Sequence, residues 1–159
     1  MSAFRIRSAA RVILLDSEHR VLLTRFSFAD GDVWTTVGGG VEPGETHAEA
    51  ARRELVEEAG LEVEDVGACV WTREHAFRNP VSFDVQRERY FLVRTESFEP
   101  TPGLSWEALA AEGMTGLRWW ALDEILAATE TRFAPRPLGR LLQDLLRHGP
   151  PATPIDVGE

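Results

Sequence analysis

Three glutamates, Glu54, Glu57 and Glu58, stand at i, i+3 and i+4 in a stretch whose neighbours read as helical. On a helix those positions share one face, with Cβ atoms about 5–6 Å apart. Carboxylates so placed repel one another unless a cation lies among them. They also supply the hard oxygen donors that magnesium and manganese prefer. Just upstream, Gly38-Gly39-Gly40 can bring backbone carbonyls and amides close to the same place. A glycine run leading into a carboxylate-bearing helix can hold divalent ions beside a pyrophosphate, neutralising its charge and acidifying a bound water.

The charge distribution fits that chemistry. The 159-residue chain has a formal net charge of −9, and eight glutamates against two arginines, Arg52 and Arg53, lie between Glu42 and Glu64. Charge alone would suit a solvated acidic helix face; the spacing is what points to a bound cation. The acidic balance speaks against a nucleic-acid-binding surface. A single cysteine, Cys69, excludes an internal disulfide framework and suits a reducing cytoplasm. The early arginines are followed by no uninterrupted apolar stretch, so no signal peptide is expected. No apolar run approaches the roughly 18 residues that would span a membrane.

The carboxylates need a helix running from Thr46 or His47 to Ala59. Thr46 is its expected N-cap, with Glu49 completing a capping box and Gly60 as the C′ residue. Leu55 and Ala59, with Ala48, Ala51 and Leu61, give it a buried stripe. Residues 8–15 and 21–25 read as a hairpin, and residues 34–37 as a third strand broken by the three glycines. Residues 66–77 and 82–95 read as two longer strands joined by a turn at Asn79-Pro80. A long connection over 95–116, with a short helix at 106–111, leads to a strand at 117–121. Helices at 122–127 and 138–147 follow. Residues 1–148 are expected to form one domain. The proline-rich tail, 149–159, is expected to be loose and flexible.

From Gly39 the pattern continues through Glu45 to Arg53-Glu54-Leu55-Val56-Glu57-Glu58-Ala59-Gly60-Leu61. Every fixed position of a Nudix box is filled, and the chain resembles the MutT-like Nudix hydrolases. The resemblance implies an α/β fold, an α/β/α sandwich with a mixed β-sheet between helices. It implies attack of water on a phosphorus of a nucleoside diphosphate linked to another moiety, with Mg2+ as cofactor and Mn2+ as a substitute. Glu54, Glu57 and Glu58 match the family's metal-binding glutamates, and the Gly38 carbonyl matches a further ligand. Arg53 and Glu45 match a salt bridge that fixes the loop against the helix, supported by Gly39 and Gly60. Glu57 or Glu58 would serve as ligand and base, with Glu54 beside them, although the family recruits its base from different places.

The chain departs from the pattern at two points. Val37 stands where many members have proline. Arg118 stands where some supply a late carboxylate, so that group must come from Glu112, Glu107 or Glu88, each of which also reads as a plain surface charge. Arg25 is a candidate substrate contact, and Trp34 or Phe28 a candidate for stacking on a base, an interaction of about 1–3 kcal/mol. Core packing is the commoner fate of a tryptophan. Arg87 and Arg89 share a strand face and would meet either phosphates or solvent. One of Trp119 and Trp120 should face the core and the other a groove or a partner. The expected partner is a small nucleotide: a (d)NTP, an oxidised (d)NTP, ADP-ribose or a nucleotide sugar. The expected state is monomer or homodimer. The rival readings are a nucleotide-sensing module without catalysis, which the intact box disfavours, and isoprenyl diphosphate isomerisation, for which Cys69 is poorly placed.

Overall fold

The elements run β1 (Ile6–Leu15), β2 (Arg20–Phe28), β3 (Gly31–Gly40), α1 (His47–Ala59), β4 (Cys69–Ala76), β5 (Val85–Arg94), α2 (Trp106–Ala111), β6 (Met114–Ala121), α3 (Leu122–Ala127), β7 (Phe133–Ala134), α4 (Leu138–His148) and β8 (Ile155–Asp156). This computed structural model describes residues 5–76 and 83–158. Among them the sheet order is β6-β2-β3-β1-β5-β4-β8, with β7 beside β3. It is mixed: β1 is antiparallel to β3 and parallel to β5.

Alternation along the strands decides which face each residue serves. Ala10, Val12 and Leu14 of β1, with Leu22 and Val37, meet Ala50, Ala51, Leu55 and Ala59 of α1. Ile13 and Leu15, with Leu23, Trp71 and Tyr90, meet Ile125 of α3 and Leu138, Leu142 and Leu145 of α4. The result is an α/β/α sandwich. Leu55 is fully buried, and burial of such a side chain contributes roughly 1.5–3 kcal/mol.

Local signals set the ends of α1. The Thr46 side chain accepts from the Glu49 amide at 3.1 Å, and the Glu49 carboxylate accepts from the Thr46 amide at 3.0 Å. At the other end Gly60 adopts φ 71°, a left-handed conformation in which its amide returns to the Val56 carbonyl at 3.0 Å. The long connection closes this end: Thr101, Gly103 and Leu104 donate to the carbonyls of Ala59, Val56 and Glu57. The Ala59 and Glu57 carbonyls would otherwise lack partners, as at any helix C-terminus, and Val56 gains a second.

Three expectations change. β3 is not broken at the glycines but runs through them, because Gly38, Gly39 and Gly40 pair with Arg11, Ala10 and Ala9 of β1. The first two strands meet mainly at their turn, Leu15 opposite Val21, since β1 gives its length to β3 and β5. The tail is not loose over its length. Ile155–Asp156 pairs with Trp71 and Thr72 of β4, whose outer edge offers free backbone donors and acceptors, and the Val157 amide donates to the Thr72 carbonyl at 2.9 Å. The turn expected at Asn79-Pro80 lies outside the described residues. Among the described residues no helix is long and apolar enough to cross a membrane.

Candidate active site

Helix α1 turns Glu54, Glu57 and Glu58 toward the end of β3, where a cavity of about 900 Å³ opens. Glu54 and Glu58 are nearly buried, 8% and 3% exposed, beside the helix's apolar stripe. The Gly38 amide donates to Glu58 Oε1 at 2.9 Å, the only hydrogen bond to that carboxylate among the described residues. Burial, reinforced by the neighbouring Glu54, pushes the Glu58 carboxyl up to about 8. Burial raises Glu54 as well, against the pull of Arg53.

Arg53 is the clasp of the site. Its Nε and Nη2 donate to the two Glu45 oxygens at 2.8 and 2.9 Å, and Nη2 also reaches the Gly40 carbonyl at 2.9 Å. Its Nη1 donates to Glu54 at 2.9 Å and to Glu57 at 3.3 Å. One guanidinium thus joins the loop, the end of β3 and two of the three carboxylates, using the bidentate geometry that arginine offers. The Glu45 contact holds that carboxyl below its ordinary range. Glycine at position 39 leaves room for Glu54: a Cβ there would run into Oε1 and displace that carboxylate.

A second network supports β3 from the other face of the sheet. Arg11 donates to Glu88 at 2.8 Å, to the Gly38 carbonyl at 3.2 Å and to the Thr36 carbonyl at 3.4 Å. Glu88, 2% exposed, also accepts from Arg73, Gln86 and Tyr90. Burial opposes ionisation of Glu88, but Arg11 and Arg73 outweigh it and hold its carboxyl at about 2. A carboxylate so fully engaged is no base, and Glu88 leaves the list of late carboxylates.

Of the other two, Glu112 caps α2 and lines the cavity with Glu54, Glu57 and Glu58, whereas Glu107 does not. The residues expected from sequence to contact substrate lie outside this cavity. Arg25 pairs across from Trp34 on the α4 side of the sheet, where Arg25 bonds Thr115 and Trp34 packs edge-on to Trp120 at 5.3 Å. Phe28 is exposed at the far end of β2. None of the three lines the cavity. Arg87 faces Glu74 at 3.6 Å on the surface, and Arg89 is exposed. Neither tryptophan of β6 faces a groove: Trp120 is in the core, and Trp119 donates to the Phe98 carbonyl at 3.0 Å.

The cavity is lined instead by Arg7, Arg11, Phe26 and Phe83, which sequence reasoning missed. Signals for two of them were there. Phe26 alternates with Leu22 and Thr24, not with Leu23 and Arg25. Arg11 is a lone charge in an apolar strand, which asks for a buried partner.

Among the described residues no three carboxylate, imidazole or thiol groups stand ready-made as a metal cage; Arg53 draws Glu54 and Glu57 toward itself. The donor set nonetheless fits a hard divalent cation. It is all oxygen, two of its carboxylates are buried side by side, and Glu58 accepts one backbone hydrogen bond and forms no ion pair among the described residues, with Arg11 acting on it only from a distance.

A family model described as NUDIX domain matches residues 5–142. The chain is 41% identical over 63 residues to Nudix hydrolase 19, chloroplastic, of Arabidopsis thaliana, covering 39% of this chain and 14% of that protein. It is 41% identical over 70 residues to an RNA pyrophosphohydrolase of Helicobacter pylori, covering 38% of this chain and 43% of that one. The chain therefore spans less than half the length of these relatives. A NUDIX hydrolase structure from Nitrosomonas europaea superposes with a TM-score of 0.69 at 20% identity, covering 100% of this chain and 82% of that one, a likeness of fold.

Proposed function

Because this chain belongs to the Nudix family, we propose that it hydrolyses a nucleoside diphosphate linked to another moiety, in a reaction that depends on a divalent metal. The observation that carries this reading is one cavity lined by Glu54, Glu57, Glu58 and Glu112 at the glycine end of β3. Glu54, Glu57 and Glu58 would hold Mg2+ or Mn2+, with the second lone pair of the Gly38 carbonyl, whose first engages Arg11. Bound there, the cation supplies Lewis acidity toward phosphate oxygens and the positive charge that this acidic protein otherwise denies a polyanion.

The chain's own groups do the rest. Arg53 keeps Glu54 and Glu57 on the cavity side of α1, while its grip on Glu45 and Gly40 keeps the loop from drifting. Arg11 holds the carbonyls that flank the Gly38 amide, so that amide stays aimed at Glu58. Glu57, Glu58 or Glu112 takes the proton of the attacking water; all three line the cavity. The substrate is a nucleotide with a phosphoanhydride: a (d)NTP, an oxidised (d)NTP, ADP-ribose or a nucleotide sugar.

A nucleotide panel with Mg2+ or Mn2+ tests this, with products resolved by chromatography and released phosphate and pyrophosphate measured separately. A nucleoside monophosphate product is expected. Tight nucleotide binding with no hydrolysis of any panel member would instead identify a sensing module.

A further inference from the structure

Arg7 is a cation in the cavity that no carboxylate has claimed. Its Nη1 donates to the neutral Gln86 Oε1 at 2.8 Å, and its guanidinium carbon lies 5.9 Å from the Phe83 ring centroid. Among the described residues these are its contacts, and it forms no ion pair. Its β1 neighbour Arg11, by contrast, is paired with Glu88. Burial and Arg11 lower its pKa, while Glu54, Glu88 and Glu112 act on it from a distance in the opposite sense. A half-buried guanidinium held by one neutral amide is electrostatically incomplete.

Nη1 donates to Gln86 and the Nε–Nη2 edge lies against Gly40, so Nη2, which donates to no group among the described residues, is the donor left for a phosphate oxygen. The side chain that Gly40 lacks makes room for the guanidinium itself: a Cβ there would stand 2.6 Å from Nη2 and 2.7 Å from Nε. One residue earlier, the same missing atom on Gly39 would meet the Glu54 carboxylate. Consecutive residues of β3, whose side-chain positions alternate between the two faces of the strand, thus mark the guanidinium and the first carboxylate of α1. Both groups line the same cavity.

We propose that Arg7 grips a phosphate adjoining the scissile linkage, so that this site favours a nucleoside triphosphate over a sugar-capped diphosphate. The proposal rests on reading the cavity as the phosphoanhydride site. Gln86, backed by Glu88 at 3.0 Å, fixes the guanidinium's orientation, and Phe83 covers one side of it.

The test is calorimetric binding of a non-hydrolysable nucleoside triphosphate analogue and of ADP-ribose, each with Mg2+, to the wild type, Arg7→Gln and Arg7→Lys. Arg7→Gln should weaken triphosphate binding by about tenfold or more, as expected for loss of a charge-assisted hydrogen bond. ADP-ribose binding should weaken much less, and Arg7→Lys should fall between, since it keeps the charge but loses the planar group that Gln86 orients. In turnover the loss should appear in KM more than in kcat. Equal weakening for both ligands, or none, in a variant with unchanged Tm would overturn the role of Arg7. Binding needs no turnover, so an inactive wild type would defeat the hydrolase reading and leave this comparison decisive on its own terms.

Discussion

The carboxylate of Glu54 lies in the space that a side chain on Gly39 would take. A Cβ there would collide with Oε1 and stand 2.9 Å from the carboxyl carbon. Helix and strand therefore meet through a carboxylate resting directly on backbone. Gly39→Ala should displace Glu54, lowering kcat by about tenfold or more and costing about 1–3 kcal/mol of stability, as overpacking does. Steady-state rates and urea midpoints read the two effects; a wild-type rate would mean that the position of Glu54 does not matter.

Glu57 is tied to Arg53 and lines the cavity. Glu57→Gln keeps the shape but weakens the cation site and removes a base. The expected loss in kcat is about a hundredfold or more with the circular dichroism spectrum unchanged. Near-normal turnover in saturating Mg2+ would remove Glu57 from the chemistry.

Glu112 reaches the cavity from the end of α2, far from the other carboxylates in sequence. Glu112→Gln should lower kcat by about tenfold or more if it takes the water's proton or holds a cation. Glu107→Gln, on the same helix but outside the cavity, should leave the rate as it is. Equal, small effects from both variants would return Glu112 to the surface charges.

Cation binding should stabilise the fold, because Glu54 and Glu58 are buried next to each other. At a hundredfold excess over Kd, Mn2+ or Mg2+ should raise Tm by about 5–10 °C. Excess chelator should reverse the shift, and Glu58→Gln should abolish most of it. A shift of equal size in that variant would place the ion elsewhere.

Glu88 links acid stability to the second network. Its folded carboxyl is held at about 2 against an ordinary 4.5. Its stabilisation is therefore fully present above about pH 4.5 and is lost as pH falls toward 2, amounting to about 3 kcal/mol. Glu88→Gln would leave Arg11 and Arg73 buried without their partner, costing about 3–5 kcal/mol at pH 7. It should also flatten the stability loss between pH 5 and 2. Urea unfolding across that range checks both, and an unflattened curve would assign the acid transition to other groups.

Local chemistry made much of this legible in advance. The i, i+3, i+4 carboxylates, the Thr46–Glu49 capping box and the left-handed Gly60 depend on residues within a few positions of one another, so the spacing alone specified α1 and the face it presents. The glutamate that Arg53 holds was likewise readable, since loop and helix are adjacent in the chain. What the sequence did not disclose was which face of each strand the cavity would use. Arg25 and Trp34 were expected at the substrate, yet they pair with each other on the α4 side, and Phe26, one position along, lines the cavity instead. A shift of one residue reverses a strand's face. The face that becomes a site depends on which helix covers it, a contact between segments far apart in the chain. For the same reason Arg7 and Glu88 acquired their surroundings only when β1 came to lie parallel to β5. Short-range spacing determined the carboxylate helix; long-range pairing decided what stands across from it.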